Sequence, residues 1–458
     1  MDSTHSSTST LASLSHGPRR AVVVGAGPVG CLTALALAKR GWHVDLLEGR
    51  PDLRLPSSKA ASQQRSINLA ISHRGLAALE AIDPTAADKF LHTAIPMRGR
   101  MIHTRTGELD SQSYDRDGQC IHSIDRALLN EGLLERAAAS ENIRLFFNHK
   151  AVSADFDDRI LTARDILSNK EVQFHFDFCV GTDGSYSVIR RQMMRVVRST
   201  RSRMNYQQEY ITSEYVELKM PAGRDDHGEP TFLLDPNHLH IWPRHSFMLI
   251  ALPNKANPYH YLDRAIILGD AAHSMVPFYG QGLNCGLEDV RILTTLMDQE
   301  GITACAPESF DPSKDAVDRQ LARVLEKYTL GRHQDCLAII DLAMDNYIEM
   351  RHSVTTWSYL VKKAVDNILY TLTSRKMVSL PSLVPTLSRM AYPPEAPRGW
   401  LPLYTMVTFR PDISYATAKA KAERQARILD GLIWTGTALV GAGGVWAAWM
   451  LQRTLARR

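Results

Sequence analysis

The sequence predicts an α/β fold around a buried parallel sheet, followed by a helical region and an apolar segment near the C-terminus. A β-branched run at residues 20–24 leads through a glycine-rich turn into a run rich in Ala and Leu. Two later segments, 176–190 and 264–290, repeat the pattern of a buried strand followed by a glycine-containing turn. Short apolar strands that alternate with helices are typical of a parallel sheet covered on both faces. The 458 residues are enough for about two or three domains.

The composition is that of an ordinary globular protein and excludes several function classes. Hydrophobic residues make up 44% and charged residues 22% of the chain, which excludes a disordered or fibrous protein. A net charge of +4, spread along the chain, is too weak to indicate a nucleic-acid binder. The six cysteines form no CxxC pair, so the sequence predicts neither a disulfide scaffold nor a zinc site and favours a reducing compartment.

Three glycines lie between the first strand and the first helix. Gly25 would form the tight turn, Gly27 would let the backbone approach a pyrophosphate, and Gly30 would let the helix pack on the strand. The helix start offers free N–H groups and the positive end of the helix dipole to the phosphates. Glu48 closes the next strand, where a carboxylate binds a ribose hydroxyl. This pattern predicts a dinucleotide site and leaves both NAD and FAD open as its ligand.

Two distant motifs favour flavin. In FDFCVGTDGSYSVIR a strand runs into a turn that contains Asp183. In RAIILGDAAHSMVPFYGQGLNCG a second strand ends at Asp270, whose carboxylate can accept a hydrogen bond from a ribityl hydroxyl. The loop that follows contains Gly282 and leads into a helix near Leu283 or Asn284, and the N-terminus of that helix would stabilise negative charge on a reduced flavin ring. We therefore predict FAD as the bound nucleotide.

With these three motifs in this order and spacing, the chain resembles the single-component FAD-dependent aromatic hydroxylases. The finer resemblance covers most of residues 18–450 and is to the kynurenine 3-monooxygenase family. It rests on the strings RSINLAISHRG (65–75), IPMRGRMIH (95–103), NHLHIWPR (237–244), MLIALPN (248–254), DAAHSMVPFYGQGLNCG (270–286), MDNYIEMR (344–351) and LPLYTMVTF (401–409).

The resemblance implies a monooxygenase that uses FAD, NADPH and O₂ to convert L-kynurenine to 3-hydroxykynurenine through a flavin C4a-hydroperoxide. This reaction belongs to tryptophan degradation and pyridine nucleotide biosynthesis. The flavin would carry the chemistry, with no catalytic side chain and no metal, and we expect His273 to be a structural loop residue. Two alternatives stay open: a hydroxylase of another aromatic acid, and a membrane-bound flavoprotein that is inactive or uncoupled.

The resemblance also assigns site residues position by position. Arg100, the second arginine of PMRGRM, would bind the substrate carboxylate, because a bidentate guanidinium suits that group best. Tyr114 would assist at the same carboxylate, and Asn346, Glu349 and Tyr404 would be further substrate-side positions. Besides Gly25, Gly27, Gly30, Asp183 and Gly282, the flavin-side positions are Val29, Glu48, Arg50, Ala70, Arg126, Val188, Asp270, Leu283 and Asn284.

We predict an FAD-binding Rossmann-like domain with an antiparallel-sheet substrate layer, a C-terminal helical region and one transmembrane helix. The predicted boundaries are a disordered tail (1–17), the FAD-binding domain (18–330) with the substrate layer interleaved at about 97–118 and 196–261, the helical region (331–427) and the membrane anchor (428–452). Relative to the family, the chain lacks a stretch of strands and helical segments after Lys255, so the substrate layer would be shortened.

The predicted anchor is the uncharged stretch of residues 431–451. At ~1.5 Å per residue, a helix of this length spans about 30 Å, the hydrocarbon thickness of a bilayer. Trp434, Trp446 and Trp449 lie towards its ends, as interfacial anchors do. The resemblance places the eukaryotic members of the family in the mitochondrial outer membrane, and we expect the same location here.

Overall fold

The computed structural model describes most of the chain outside its two ends and the segment after residue 197. The described residues are 17–58, 68–103, 106–197, 206–207, 223–224, 230–231, 234–235, 237–241, 255–256, 260–275, 279–305, 317–352, 354, 356–373 and 399–431. The predicted disordered tail therefore lies almost entirely outside the described residues, as does the predicted anchor beyond residue 431.

The strands and helices alternate in the first half of the chain, and long helices follow. The strands are β1 Arg20–Val24, β2 His43–Glu48, β3 Asn68–Ile71, β4 Ile95–Met97, β5 Gly99–His103, β6 Leu109–Ser113, β7 Ile121–Asp125, β8 Ile143–Phe147, β9 His149–Asp155, β10 Ile160–Asp165, β11 Glu171–His175, β12 Phe178–Gly181, β13 Tyr206–Gln207, β14 Gly223–Arg224, β15 Pro230–Thr231, β16 His238–Ile241, β17 Lys255–Ala256, β18 His260–Tyr261 and β19 Ala265–Ile267. The helices are α1 Pro28–Ala38, α2 His73–Ile82, α3 Pro84–Thr93, α4 Arg126–Ala138, α5 Val188–Val197, α6 Asp270–His273, α7 Gly282–Gln299, α8 Arg319–His352, α9 Trp357–Thr373, α10 Leu403–Phe409 and α11, residues 415–431.

A six-stranded sheet organises the nucleotide-binding part of the fold. Its strand order is β18, β19, β12, β1, β2, β8, and every neighbouring pair is parallel except β18 with β19. The central strand β1 is buried from Ala21 onwards, which explains its continuous run of apolar residues. The helix α1 is buried along nearly its whole length and packs against α4 and α7. The predicted α/β fold with a parallel sheet is therefore confirmed.

Five smaller sheets of the described residues lie outside this core, and three of them have three strands each. The strands β9, β10 and β11 form one antiparallel sheet, and β7 pairs antiparallel with both β3 and β4. In the third, β5 pairs antiparallel with β6, as the sequence predicts for the substrate layer, whereas β16 pairs with β5 in parallel. The parallel ladder was not predicted, because β16 comes from a distant segment and strand order cannot be read from the residues of one strand.

The C-terminal part of the described chain is helical, as the sequence predicts. The helix α8 begins at Arg319, before the predicted start of this region at residue 331, and α9, α10 and α11 follow it. Among the helices of the described ranges, which end at residue 431, none is long and apolar enough to cross a membrane. The segment 428–452, predicted to be the anchor, lies outside these ranges from residue 432 onwards.

A buried ionic network connects the helices of the two parts. Arg74 on α2, Arg291 on α7 and Arg332 on α8 all contact the carboxylate of Glu288, at nitrogen–oxygen distances of 2.9, 3.1 and 2.9 Å. The guanidinium of Arg74 also donates to the carbonyl of Val407 at the end of α10, at 2.6 Å. Burial alone would raise the pKa of Glu288, but the three guanidinium groups lower it to about 2. This carboxylate is therefore charged in the folded protein at every ordinary pH.

Replacing Glu288 with Gln should destabilise the protein by about 3–5 kcal/mol, because it leaves three buried cations without their shared counter-charge. The pKa of Glu288 falls from 4.5 in the unfolded chain to about 2 in the folded one, so its stabilisation is complete above pH 5 and is lost as the pH falls towards 2. Thermal unfolding between pH 7 and pH 3 measures both effects, and E288Q should show a shallower loss over this acid range.

The matched control is Glu171→Gln, which removes a carboxylate that pairs with Arg164 on the exposed surface of β10 and β11. Exposed ion pairs contribute about 0–1 kcal/mol, so this variant should unfold at nearly the wild-type temperature. A Glu288→Gln protein as stable as the control at pH 7 would contradict the role given to the network.

Candidate active site

The glycine-rich turn has the geometry that its sequence predicts. Gly25 has a φ of 100°, and a Cβ placed on it would lie 2.6 Å from the carbonyl oxygen of Thr182. A Cβ on Gly30 would lie 1.9 Å from the carbonyl oxygen of Gly25, so only glycine lets α1 approach the turn. By contrast, a Cβ on Gly27 would meet no atom within 4 Å. The space before Gly27, at the N-terminus of α1, is thus open to a phosphate group.

Glu48 lies at the end of β2, beside this turn. Its carboxylate accepts a hydrogen bond from the N–H of Ala26 at 3.0 Å and one from Nε of Arg50 at 2.9 Å. These contacts fix the carboxylate next to the open space where a ribose would follow the phosphates. The side chain of Arg50 is mostly exposed, and Arg126, at the start of α4, is exposed as well.

The second motif is tied directly to the first. The hydroxyl of Thr182 donates to the carbonyl oxygens of Val24 and Gly25, both at 2.9 Å. The carboxylate of the adjacent Asp183 accepts hydrogen bonds from the hydroxyl of Ser187 at 2.5 Å and from the N–H of Val188 at 2.6 Å. Asp183 therefore caps the start of α5, a role that its predicted assignment to the cofactor did not include.

The third motif forms a loop held by Asn284. Its amide oxygen accepts from the N–H of Ser72 at 2.9 Å, and its amide nitrogen donates to the carbonyls of Ala70 and Gly280 at 2.8 and 2.6 Å. Asn284 thus joins β3 to the loop that leads into α7. Its amide contacts backbone groups, so its effect on a bound flavin would be to hold the loop in place.

The remaining flavin-side positions lie around the same loop. The helix α7 begins at Gly282, with the half-buried Leu283 next to it. The side chain of Val29 packs against Gly269 and Gly286, which lie on either side of the loop. A Cβ added to these glycines would lie 3.2 and 2.8 Å from the side chain of Val29. Asp270 is exposed at the start of α6, beyond the end of β19.

These groups meet at one edge of the sheet. The turn after β1, the carboxylate that ends β2, the turn after β12 and the loop after β19 all follow the carboxyl ends of parallel strands. Ligands of open α/β sheets bind at this edge. The residues present fit an FAD molecule, because the open turn can take its pyrophosphate and the loop of residues 279–284 can approach its ring.

A cavity of about 1090 Å³ adjoins this loop. All five predicted substrate-side residues line it, although they come from four separate parts of the chain: Arg100, Tyr114, Asn346, Glu349 and Tyr404. Tyr279, the first residue of the flavin-side loop of residues 279–284, also lines the cavity. The structure therefore brings the predicted substrate side and the predicted flavin side together.

Arg100 is the buried cation of this cavity. One of its Nη atoms donates to the amide oxygen of Asn346 at 3.2 Å, and the other lies 3.6 Å from the carboxylate of Glu349. The rings of Tyr114 and Tyr404 stack with centroids 4.9 Å apart, and the guanidinium carbon of Arg100 lies 5.9 and 5.5 Å from their centroids. Burial raises the pKa of Tyr114 to about 12, so this ring stays neutral beside the cation.

The cavity lining also includes residues that were not among the predicted site residues, among them Tyr279, Tyr359 and Lys363. Burial, followed by the charge of Glu349, raises the pKa of Tyr359, while burial and the charge of Arg100 lower the pKa of Lys363. Tyr279 lies within the string DAAHSMVPFYGQGLNCG, which could have indicated it. The two residues of α9 had no sequence signal, because their helix reaches the cavity only through packing.

His273 is buried behind the flavin-side loop, where its Nε2 lies 2.5 Å from the carboxylate of Asp289. Burial would lower its pKa, but the charge of Asp289 raises it well above 6.5. Cys285 and Cys336 complete a buried group of four metal-ligating side chains whose ligand atoms lie within 4.8 Å of one another. Arg332 contacts Asp289 at 2.8 Å and Cys285 Sγ at 3.2 Å, so a guanidinium already provides the positive charge there.

Comparisons with known proteins agree with this geometry. A family model of the FAD binding domain matches residues 19–222 and 197–299. Among solved structures, 2-methyl-3-hydroxypyridine-5-carboxylic acid oxygenase is similar with a TM-score of 0.51 and 16% identity, over 75% of this chain and 95% of that one. The p-nitrophenol 4-monooxygenase of Pseudomonas putida DLL-E4 gives 0.50 and 18%, over 82% and 98%. At these identities the likeness concerns the fold.

The FAD-binding fold and the named relatives place the chain in the class of FAD-dependent monooxygenases. The kynurenine 3-monooxygenase of Cryptococcus neoformans var. neoformans serotype D (strain B-3501A) is 38% identical over 520 residues, which cover 96% of this chain and 99% of the relative. The kynurenine 3-monooxygenase of Saccharomyces cerevisiae is 36% identical over 490 residues, covering 92% and 96%. The chain belongs to the kynurenine 3-monooxygenase family.

Two glycine variants separate cofactor binding from folding. Gly27→Ala should leave the thermal stability nearly unchanged, because its Cβ meets no protein atom, but should reduce the FAD bound per chain at least tenfold at limiting FAD, because that Cβ fills the phosphate space. Gly30→Ala should lower the stability itself, because its Cβ collides with the backbone of Gly25. Flavin absorbance of the purified protein and thermal unfolding of the apoprotein measure the two effects.

The experiment has a clear contrary result. If Gly27→Ala binds FAD as tightly as the unmodified chain, the nucleotide does not approach this turn. The position of the pyrophosphate would then have to be sought at another strand end.

Proposed function

We propose that this chain is an FAD- and NADPH-dependent monooxygenase that converts L-kynurenine and O₂ to 3-hydroxykynurenine. The observation that carries the proposal is the pairing of Arg100 with Glu349 in a cavity walled by tyrosine rings, next to the flavin-side loop. Kynurenine carries an α-carboxylate, an α-ammonium group and an aromatic ring. The cavity provides a cation, an anion and aromatic walls that match these three groups.

Arg100 would bind the α-carboxylate through its forked N–H groups. Asn346 already accepts a hydrogen bond from this guanidinium, and Tyr114 and Tyr404 limit the directions in which it can turn. Because the guanidinium is held before a substrate arrives, little side-chain freedom is lost on binding. Glu349 is half-exposed and lies close enough to Arg100 to take the α-ammonium group of the same amino acid.

The groups that line the cavity would set the position of the aromatic ring of the substrate. Tyr279 joins the cavity to the loop of residues 279–284, and Ala70 and Tyr404 pack against one apolar cluster of Met97, Tyr114, Ile121 and Phe409. These apolar walls would keep water away from the reacting carbon and orient the substrate ring towards the flavin. Bound FAD supplies the electron transfer from NADPH and the activation of O₂.

A second candidate is a flavoprotein of the same family that oxidises NADPH without hydroxylating its substrate efficiently. The observation that favours it is the length of the chain: the alignment with the Cryptococcus relative runs over 520 residues, more than the 458 present here. The sequence places the missing stretch after Lys255, within the predicted substrate layer. A smaller substrate layer would admit water to the cavity. The electrons from NADPH would then reduce O₂ to hydrogen peroxide, and the substrate would not be hydroxylated.

We also propose the finer organisation of the chain. The FAD-binding domain spans residues 18–330 with the substrate layer inserted at about 97–118 and 196–261, and the helical region spans 331–427. Residues 428–452 form a membrane anchor, supported by the uncharged stretch 431–451, and the protein lies in the mitochondrial outer membrane.

Replacing Arg100 with Ala should lower kcat/KM for L-kynurenine by about 10²–10³-fold, mainly through KM, because the substrate carboxylate loses its charged partner. Arg100→Lys should give an intermediate loss, because it keeps the charge but not the fork. The assay follows NADPH oxidation, hydrogen peroxide and hydroxylated product together in the full chain. Product equal to the NADPH consumed supports the hydroxylase, and peroxide equal to it supports the second candidate.

The matched control is Arg116→Ala, which removes another guanidinium from the lining of the same cavity. Arg116 donates to the carbonyl of Asn367 on α9 at 3.0 Å and is exposed, so its loss should change KM little. If Arg100→Ala and Arg116→Ala behaved alike, Arg100 would not be the carboxylate-binding group.

A further inference from the structure

The helix α9, Trp357–Thr373, has its polar face turned inwards. Tyr359, Lys363, Asp366, Asn367 and Tyr370 all line the substrate cavity. These residues recur three or four positions apart, so they share one side of the helix. The side of α9 that lines the cavity is thus polar and aromatic.

The opposite face of α9 is apolar and exposed. Trp357 is 83% exposed, Val361 57%, Ile368 56% and Leu372 74%, and Ala364 between them is exposed as well. These positions also recur at intervals of three or four residues and form one continuous stripe along the helix. A surface helix normally has the reverse arrangement, with its apolar side turned to the core. The stripe therefore indicates that water is not the environment of this face.

Two features favour a lipid surface as that environment. Lys362, Lys363 and Asp366 lie within the helix, so α9 can lie on a bilayer but cannot cross it. Trp357 stands at one end of the stripe, with bulky aliphatic side chains behind it. Tryptophan and aliphatic side chains on one face, with charged residues on the other, are the composition of interfacial helices.

The position of α9 next to α11 supports the same conclusion. Both helices line the cavity, α9 with Lys362 and Asp366 and α11 with Ala422 and Leu429. Trp400 Nε1 donates to the carboxylate of Asp366 at 2.9 Å, and the neighbouring Leu401 exchanges backbone hydrogen bonds with the amide of Gln425 on α11. In sequence, α11 leads directly into the uncharged stretch 431–451.

We propose that the outward stripe of α9 is a second membrane contact, which lies in the boundary between the headgroups and the acyl chains of the bilayer. The proposal rests on the proposed anchor, because a chain held to the bilayer just after α11 brings the neighbouring α9 to its surface. The cavity, which residues of both α9 and α11 line, would then lie close to the membrane. The helix α9 would contact lipid with its apolar side and the substrate cavity with its polar side.

Fluorescence quenching by brominated lipid tests the two contacts separately. The full chain and its Trp357→Phe variant are reconstituted in phosphatidylcholine vesicles with and without bromine on the acyl chains. The difference in emission between the two proteins reports Trp357 alone and should fall by more than half in the brominated vesicles. Trp434, Trp446 and Trp449, which dominate the quenching that remains in the variant, report the anchor.

A pair of added tryptophans serves as the second measurement. In the Trp357→Phe background, Leu372→Trp places a tryptophan on the stripe and Leu167→Trp places one on the turn between β10 and β11, where the leucine is 81% exposed. The first should be quenched by the brominated lipid and the second should not. The control shows whether any exposed tryptophan is quenched without specific contact.

Each outcome decides between the contacts. Quenching of the anchor tryptophans without quenching at positions 357 and 372 would overturn the proposal, and so would equal quenching at positions 372 and 167. If acrylamide in the water fails to quench Trp357 while brominated lipid also fails, another protein surface covers the stripe and the proposal is again wrong. Quenching on the stripe without quenching in the anchor would support the lipid contact and remove the anchor.

Discussion

The arrangement of the two halves of the site depends on the buried carboxylate of Glu288. Its three guanidinium partners come from α2, α7 and α8, and Arg74 extends the contact to the carbonyls that end α10. The helix α7 begins at the flavin-side loop, and α10 carries Tyr404 of the substrate cavity. One carboxylate therefore fixes the distance between the place where the flavin binds and the place where the substrate binds. Apolar side chains could fill the same volume, but they would not fix the relative orientation of the helices as hydrogen-bonded charges do.

The cavity uses charge in a different way. Glu288 is surrounded by partners, whereas Arg100 keeps a loose contact of 3.6 Å to Glu349 and lies against two aromatic rings. Tyrosine rings stabilise a cation through their faces without occupying its N–H groups. The guanidinium can thus be buried and still have hydrogen-bonding capacity for a carboxylate. This explains how a cation can be both held within the cavity and available to a substrate.

Much of the fold followed from the sequence because its signals are local. The glycine turn can be predicted from a few adjacent residues, and so can the strands around it. At Gly25 and Gly30 of this turn, the close approach of backbone atoms leaves no room for a Cβ. Resemblance to a family predicted the five substrate-side residues, and the structure brings all five to one cavity. The residues Tyr359 and Lys363 could not be predicted, because tertiary packing decides which face of α9 meets the cavity and no local pattern of residues reports it. The parallel pairing of β16, and the roles of Asp183 and Asn284 within the loops, likewise depend on partners distant in sequence.

The helix α9 shows how the requirements of two surfaces combine in one element. The cavity demands polar and aromatic groups on the inner face, since a charged amino acid binds poorly to an apolar wall. A helix that has a polar inner side and an outer side exposed to water would be only marginally stable, because helices of this length depend on burial of an apolar face. The apolar stripe from Trp357 to Leu372 supplies that burial when lipid covers it. Contact with a membrane would then stabilise the wall of the substrate cavity, so the same helix that attaches the protein to the bilayer would also complete its binding site.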